Sequence, residues 1–420
     1  MSAAAAASEA IAHQQAGRLP QAIAAYRQAL ALQPGWSQMH TNLGVALLEA
    51  EAYAASEVEL RQALALEPGQ PEALLNLGNL LWRQGRLEQA DQAYGQALER
   101  RPNYARAHHN RGMLQLLCGQ AAEGWRGYAW RFRAEPALLP GIQLPAWDGR
   151  PEGCAELLLV QEQGLGDVFQ FVRYAQLLRG RVGRLSLAVE PKLVAILQQA
   201  QLFDGVHAFP VEEGAVDDQC RWLPLLSAAP LLGATPQQPL LHGAYLRLDG
   251  QRLQQWRRQL PPVPLRLGLH WQGNPAHETG ESRGRSLPLE LLAPLAELPG
   301  VELVSLQKGP GAEQLASCGF RHTFSPAQAA VENAWDFRDT AAIAACCDLV
   351  ISNDTAMAHL AGGLGLPVWI LLKAIPEWRW GLQGAHCPWY PSARLFRQPR
   401  PGDWPAVVDA VRQALQERQR

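Results

Sequence analysis

The chain has no excess of either charge. Its 37 Lys and Arg residues face 39 Asp and Glu, for a net charge of -2 and a pI near 6.6. That excludes the basic footprint of a nucleic-acid binder. No run of 18 apolar residues occurs, so no segment is expected to span a membrane. The N-terminus, MSAAAAASEA, lacks the basic and continuous apolar regions of a signal peptide and reads as helix-forming sequence. Cysteine is scarce: seven residues (118, 154, 220, 318, 346, 347 and 387), with no CxxC spacing. An odd, dispersed set argues against both a disulfide framework and a zinc site. It points to reduced thiols in a cytoplasmic protein. What is abundant is apolar residues, 48% of 420, enough for the cores of two or three domains.

The first part of the chain repeats. Pro34, Pro68 and Pro102 are spaced by 34 residues, as are Gly44, Gly78 and Gly112, and Ala29, Ala63 and Ala97. Tyr26, Leu60, Tyr94 and Tyr128 hold one large position in the same register, and NLG recurs at 42–44 and 76–78. This pattern resembles the tetratricopeptide repeat, a helical hairpin in which Gly and Ala permit close approach and Pro closes the second helix. Residues 1–132 are expected to form such a solenoid, with three full repeats and a degenerate fourth. In the fourth, Arg111 precedes Gly112 and Gly124 replaces Ala; it is expected to cap the stack and dock on the next domain. His108, His109 and Asn110 fall where groove-lining side chains are expected. Adjacent histidines on a helix diverge, which argues against a metal pair. The groove either holds a peptide or serves as a spacer or oligomerisation surface.

Residues 133–153 read as a linker. Pro136, Pro140, Pro145 and Pro151 forbid a continuous helix, and Trp147 is expected to anchor the segment. The pattern then changes to strand, turn and helix. Glu156 to Val160 is a short apolar strand, followed by a turn with Gly164, Gly166 and Asp167, and then a helix carrying Phe169, Val172 and Leu177. This is the first unit of a doubly wound sheet, assigned to residues 154–260. Glu190 ends the second strand where a ribose-binding acid would sit, yet Phe169 replaces the third glycine of a dinucleotide fingerprint. Asp167 stands at a helix start, where it either acts chemically or caps the helix.

Residues 261–420 carry a second such sheet. Leu265 to Trp271 and Val301 to Leu306 read as strands, Pro288 to Ala296 as a helix, and Asp339-Thr340 as the start of another. The stretch Leu349 to Ile370 reads as strand, polar turn (Ser352 to Thr355), helix from Ala356, and a second strand from Val368. Ligands collect at the carboxyl ends of such strands, beside helix N-termini that favour anions. Asp354, Thr355 and His359 would then face a pocket. The plainer alternative is a Thr N-cap beside an acid, with a polar histidine on the helix. Trp404 to Gln416 closes the chain as a helix.

The Gly166-Asp167 pair, with Asp354-Thr355-x-x-x-His359-Leu360-Ala361 and then Gly365 and Pro367, resembles the lipopolysaccharide heptosyltransferases of glycosyltransferase family 9. The EQGLGD string at 162–167 and W-x-G-N-P at 271–275 resemble bacterial proteins fusing tetratricopeptide repeats to such a domain. The resemblance covers about residues 155–420. It implies an α + α/β chain whose second part is a GT-B glycosyltransferase of two Rossmann-like domains. It also implies an inverting transferase without metal or cofactor, moving a sugar from a nucleotide-diphosphate donor. By that resemblance Asp167 is the general base. Gly166, Asp354, Thr355, Ala356, His359, Arg285 and Gln307 contact the donor, with Arg283 in reserve for Arg285. Trp271, Asn274, Lys308, Asn353 and Lys373 are further cleft positions, and Trp378 and Trp380 either stack on sugar or base or pack the rim. Three positions depart from the family: Ala356 stands where Gly is usual, Gln307 where an acid is common, and Arg285 where Lys is frequent. The repeats would recruit a protein, peptide or glycan acceptor. The alternatives are a nucleotide-binding scaffold without catalysis and a nucleotide-sugar epimerase.

Overall fold

The computed structural model describes residues 2–138, 141–150, 154–212, 214–217 and 219–419. The chain divides into two compact units, Met1–Ala137 and Leu138–Arg420. Pro140 and Pro151 of the expected linker lie outside the described residues.

In the first unit the helices pair as antiparallel hairpins: α1 (Ala3–Gln15) with α2 (Leu19–Leu32), α3 (Ser37–Glu49) with α4 (Tyr53–Leu66), α5 (Pro71–Arg83) with α6 (Leu87–Arg100), and α7 (Ala105–Leu117) with α8 (Ala121–Tyr128). The repeat residues explain the pairing. A Cβ on Gly78 would lie 2.5 Å from the Tyr94 ring, and one on Gly44 would lie 2.7 Å from Leu60. In the fourth hairpin two glycines meet, so a Cβ on Gly112 would lie 2.5 Å from the Tyr128 backbone nitrogen. Gln33, Glu67 and Arg101 leave the helical region just before Pro34, Pro68 and Pro102, as the proline ring requires of its predecessor. His108 and His109 do diverge: His108 stacks on Trp130 at 4.1 Å, while His109 is buried and tilted against Tyr128 at 5.5 Å. Burial, then the Arg131 charge, brings the His109 pKa down to about 4.

The second unit holds two parallel sheets. The first contains β1 (Glu156–Val160), β2 (Arg184–Val189), β3 (Gly205–Ala208) and β4 (Arg221–Pro224), in the order β3-β2-β1-β4. Before it, Trp147 is buried and its N–H donates to the Trp222 carbonyl at 2.8 Å, while the Trp222 N–H donates to the Pro145 carbonyl at 3.1 Å, which fastens the preceding segment along β4. Helix α9 (Leu165–Phe171) follows β1 and α10 (Pro191–Ala200) follows β2. Helix α11 (Gly250–Gln259) leads to the second sheet, whose strands are β5 (Leu265–His270), β6 (Val301–Ser305), β7 (Leu349–Asn353), β8 (Val368–Leu372) and β9 (Ala393–Arg397). Their order is β6-β5-β7-β8-β9. Strands β1, β7 and β8 are buried along their whole length, as expected where both faces are covered.

Helix α12 (Phe337–Ala344) precedes β7, α13 (Ala356–Gly363) follows it, and α14 (Trp404–Gln419) ends the chain. Several boundaries differ from the sequence reading. The helix after β1 breaks at Phe171 into a tighter turn, Val172–Tyr174, before resuming at Ala175. The segment expected as a helix over 288–296 is a 3-10 turn, Leu289–Leu292, followed by a short helix, Ala293–Ala296, because Pro288 and Pro294 interrupt donation. Asp339 does not open α12. Asp336 does, accepting the Arg338 N–H at 2.8 Å.

The glycine contacts make a paired prediction. Alanine normally stabilises a helix interior by about 1 kcal/mol over glycine. Gly95 on α6 meets nothing nearer than 3.7 Å, so Gly95→Ala should gain about that amount. Gly112→Ala should lose ~1–3 kcal/mol, because backbone atoms cannot give way. Urea denaturation of both variants checks the opposite signs.

Candidate functional site

In the second sheet the chain leaves β5 toward β6 on one side and later returns to β7 on the other. Such a reversal opens a crevice at the carboxyl ends of the two strands, where ligands of open α/β sheets bind. His270 ends β5 and registers with Ser352 on β7. The turn after β7 then folds over it. Thr355 Oγ1 lies 3.2 Å from His270 Nδ1 and 3.2 Å from Ser352 Oγ, and Asn353 Oδ1 lies 3.3 Å from the same imidazole nitrogen. The Asn353 amide donates to the Arg285 carbonyl at 3.1 Å, tying this turn to the loop after β5. Burial lowers the His270 pKa to about 4, with Arg285 adding to the effect and Asn353 opposing it. The ring is therefore a neutral dipole at pH 7. Thr355 is the N-cap residue of α13, yet its side chain makes no capping bond to the helix. The sequence reading of it as a simple cap is corrected: its hydroxyl turns to His270 and Ser352 instead.

The first sheet supplies the facing wall. A Cβ on Gly166, at the start of α9, would lie 2.9 Å from His359 Cδ2 and 3.5 Å from the Ala356 backbone. Helices α9 and α13 thus cross with almost no space between them. Asp167 Oδ2 accepts the Gly164 N–H at 2.9 Å, closing the turn, while Oδ1 pairs with Arg379. Arg379 is only 7% exposed and also pairs with Glu377 and donates to Gln170 Oε1. Asp167 thus caps its turn, one of its two sequence readings, and its other oxygen reaches the opposite half.

Charge is concentrated around Asp354. Burial holds its carboxyl above the ordinary range, against the pull of Arg285, Trp380, Arg379 and Lys373. Burial likewise pushes Glu377 up to about 7; Arg379 opposes this and Asp354 adds to it. The cluster has three cationic side chains, Arg285, Lys373 and Arg379, converging on one acidic turn at the N-terminus of a helix. Chemically it can hold an anion on the α13 side and present a carboxylate on the α9 side. Among the described residues no group of three or more His, Cys, Asp or Glu side chains is arranged to hold a metal ion.

Several residues singled out by the sequence do other work. His359 is 4% exposed, 2.8 Å from the Tyr390 hydroxyl through Nδ1, and stacked on Trp380 at 5.3 Å. Burial keeps its pKa well below the ordinary value, with Arg379 next. It packs the helix crossing rather than facing a ligand. Trp378 and Trp380 are each 2% exposed, so they pack the site and offer no stacking face. Trp271 is fully buried in the core of the second sheet. Gln307 is also buried: its oxygen accepts from the Trp271 and Gln272 N–H groups, and its amide donates to the Gln272 and Pro310 carbonyls. Those four bonds commit it to the loop, not to a ligand.

The remaining positions sit at the rim. Asn274 is exposed and accepts from Ala276 N–H at 3.0 Å. Arg283 is exposed, and its carbonyl accepts from Lys373 Nζ at 3.1 Å. Arg285 lies across Gly273, 3.8 Å from Glu278. Lys308 lies at the end of β6, donating to the Val331 carbonyl. Ala356 is half-buried at the first position of α13. Sequence reasoning missed Arg379, Glu377, Gln170, His270 and Tyr390. The Arg379 signal was present in the E-W-R-W string, where only the tryptophans were read.

Tetratricopeptide-repeat family models match residues 8–71 and 47–117. The N-terminal region is therefore a tetratricopeptide-repeat array, followed by a region of parallel-strand sheets. The chain is similar to Protein FlbA of Caulobacter vibrioides, 30% identical over 337 residues. That match takes in 73% of this chain and 54% of FlbA, so the chain spans about half the length of the curated relative it matches. Among solved structures it is similar to pilF of Pseudomonas aeruginosa (25% identity, 32% of this chain, 62% of that one, TM-score 0.30). It is also similar to the first tetratricopeptide-repeat domain of human RPAP3 (22% identity, 27% of this chain, 89% of that one, TM-score 0.27).

The raised Glu377 carboxyl makes a pH prediction. It titrates at 4.5 as a free group and about 7 in the fold. Between those values the folded chain keeps a proton that the unfolded chain has released. Its contribution to stability is therefore present below about pH 4.5 and lost as pH rises through about 7. His270 and His359, with lowered pKa values, act oppositely, so the informative quantity is a difference between variants. Glu377→Gln should gain on wild type by roughly 1 kcal/mol or more between about pH 5 and about pH 8 in urea denaturation. A pH-independent difference would contradict this assignment.

Proposed function

We propose that the second unit is a glycosyltransferase that moves a sugar, with inversion and without a metal ion, from a nucleotide-diphosphate donor to an acceptor recruited by the repeats. One observation carries the reading: the α9–α13 crossing brings the Gly166-Asp167 turn beside the start of α13, with Arg379 paired to Asp167 and acting on Asp354. Two doubly wound sheets facing each other in this way correspond to the architecture called GT-B. On the donor side, the diphosphate would lie at the start of α13, against the Ala356 backbone, Thr355 and the cations Arg285 and Lys373. Those fixed charges would stabilise the leaving diphosphate, the task a metal performs elsewhere.

On the acceptor side, Asp167 is the proposed base. An ionised carboxylate takes the acceptor hydroxyl proton as the oxygen attacks the anomeric carbon from the face opposite the departing diphosphate. To do so, Oδ1 must exchange Arg379 for the acceptor hydroxyl. The repeats supply the partner-binding surface, which supports a protein or peptide acceptor.

A second reading has one observation in its favour. Both carboxylate oxygens of Asp167 are engaged, by Gly164 and by Arg379, which suits a scaffold that binds nucleotide without turnover.

A thermal-shift panel of sugar nucleotides identifies the donor, because a ligand specific for the folded state raises its apparent stability. With that donor, Asp167→Asn should lower transfer at least about 100-fold while leaving the donor-induced shift intact. Full transfer by the variant would remove Asp167 as base. Donor binding by wild type with no transfer to any protein acceptor would favour the scaffold.

A further inference from the structure

Trp335 is 68% exposed, the most exposed of the large hydrophobic side chains among the described residues. Its surroundings are not those of a loose loop residue. Asp336, the next residue, caps α12, and Ala334 N–H donates to the Val331 carbonyl at 3.1 Å, so the backbone is fastened on both sides. The Lys308 ammonium stands 6.0 Å from the centre of the indole ring and is itself anchored on the Val331 carbonyl. An indole held open to water on a rigid base, with a cation over one side of the ring, is a preorganised stacking surface on its other side.

Topology gives the surface its direction. Lys308 follows the carboxyl end of β6, and α12 begins at the same edge of the sheet before running down to β7. Strand β6 adjoins β5, and β5 adjoins β7. With neighbouring strands about 4.8 Å apart, the end of β6 lies roughly 10 Å from the end of β7. A diphosphate at the Asp354-Thr355 turn would place the rest of an extended nucleotide along this edge, over the β5 loop and toward Trp335. The intervening wall is stiff, since Gln307 bonds to Trp271, Gln272 and Pro310.

We propose that Trp335, with Lys308 beside it, is the platform on which the nucleobase of the donor stacks. The inference rests on the donor being a nucleotide, as proposed above. An indole stacks on any base, so the platform supplies affinity rather than choice of base.

Calorimetric titration of wild type, Trp335→Ala and Trp335→Phe with UDP, GDP, ADP and inorganic pyrophosphate tests it. Wild type should bind at least one nucleoside diphosphate more tightly than pyrophosphate. Trp335→Ala should weaken that nucleotide about tenfold or more, leave pyrophosphate unchanged, and be largely rescued in Trp335→Phe. Exposure of the ring means that Trp335→Ala folds as wild type does. Unchanged nucleotide affinity in Trp335→Ala overturns the platform and leaves the nucleotide reading standing. Failure of wild type to bind any of the three nucleotides overturns both.

Discussion

The second unit depends on one close approach, the crossing of α9 and α13 at Gly166. Any side chain there would drive into His359. The crossing sets how far the two sheets stand apart, and with it the distance between the Asp167 turn and the Asp354 turn. Around this point the packing is aromatic and dry. His359 stacks on Trp380, the Tyr390 ring sits under Gly362, and Arg173 donates to the Trp389 carbonyl at 2.9 Å and to the Tyr245 hydroxyl at 3.2 Å. Arg173 lies between α9 and the rest of the first sheet, whereas Trp389 belongs to the second. The two halves are therefore riveted by buried polar bonds as well as by shape. Breaking one partner of such a set strands the other without water or counter-charge.

That dryness explains the electrostatics. A buried arginine is tolerated only when its donors are matched, and Arg379 is matched by Asp167, Glu377 and Gln170. Burial raises the Asp354 and Glu377 carboxyls in spite of the cations around them: Arg285, Arg379 and Lys373 all pull Asp354 down, and at Glu377 the Arg379 charge opposes burial while Asp354 adds to it. The histidines respond to the same burial in the opposite sense and become neutral. Proton occupancy around the crevice therefore follows from packing, and packing follows from a glycine.

How much of this was legible differs by region. The repeats could be read in full because the 34-residue period recurs at several independent positions, each with its own steric reason. Strands buried on both faces announce themselves as apolar runs, and β1, β5, β7 and β8 were found that way. Strand β9 was not, since Ala393–Arg397 alternates charge and apolar residues after a loop rich in Trp and Pro. The motifs marked two turns that the α9–α13 crossing brings together, but not which side chains pack into that crossing. A helix of eight residues has several faces, and only the position of α9 tells that His359 points into the crossing. Arg379 and Tyr390 were invisible for the same reason: their partners lie 212 and 31 residues away.

The departure at Ala356 takes on a physical meaning in this light. In the family the sequence resembles, a glycine at this position would leave the start of α13 open on every side. Here the glycine that matters is on the other helix. Gly166 leaves its missing side chain as the gap into which α13 settles, 3.5 Å from the Ala356 backbone. Ala356 itself stays half-buried at the first position of α13. Close approach is thus kept between the two halves, and in the glycosyltransferase reading proposed above a donor at this helix end would meet a methyl group where the resembled family usually has glycine.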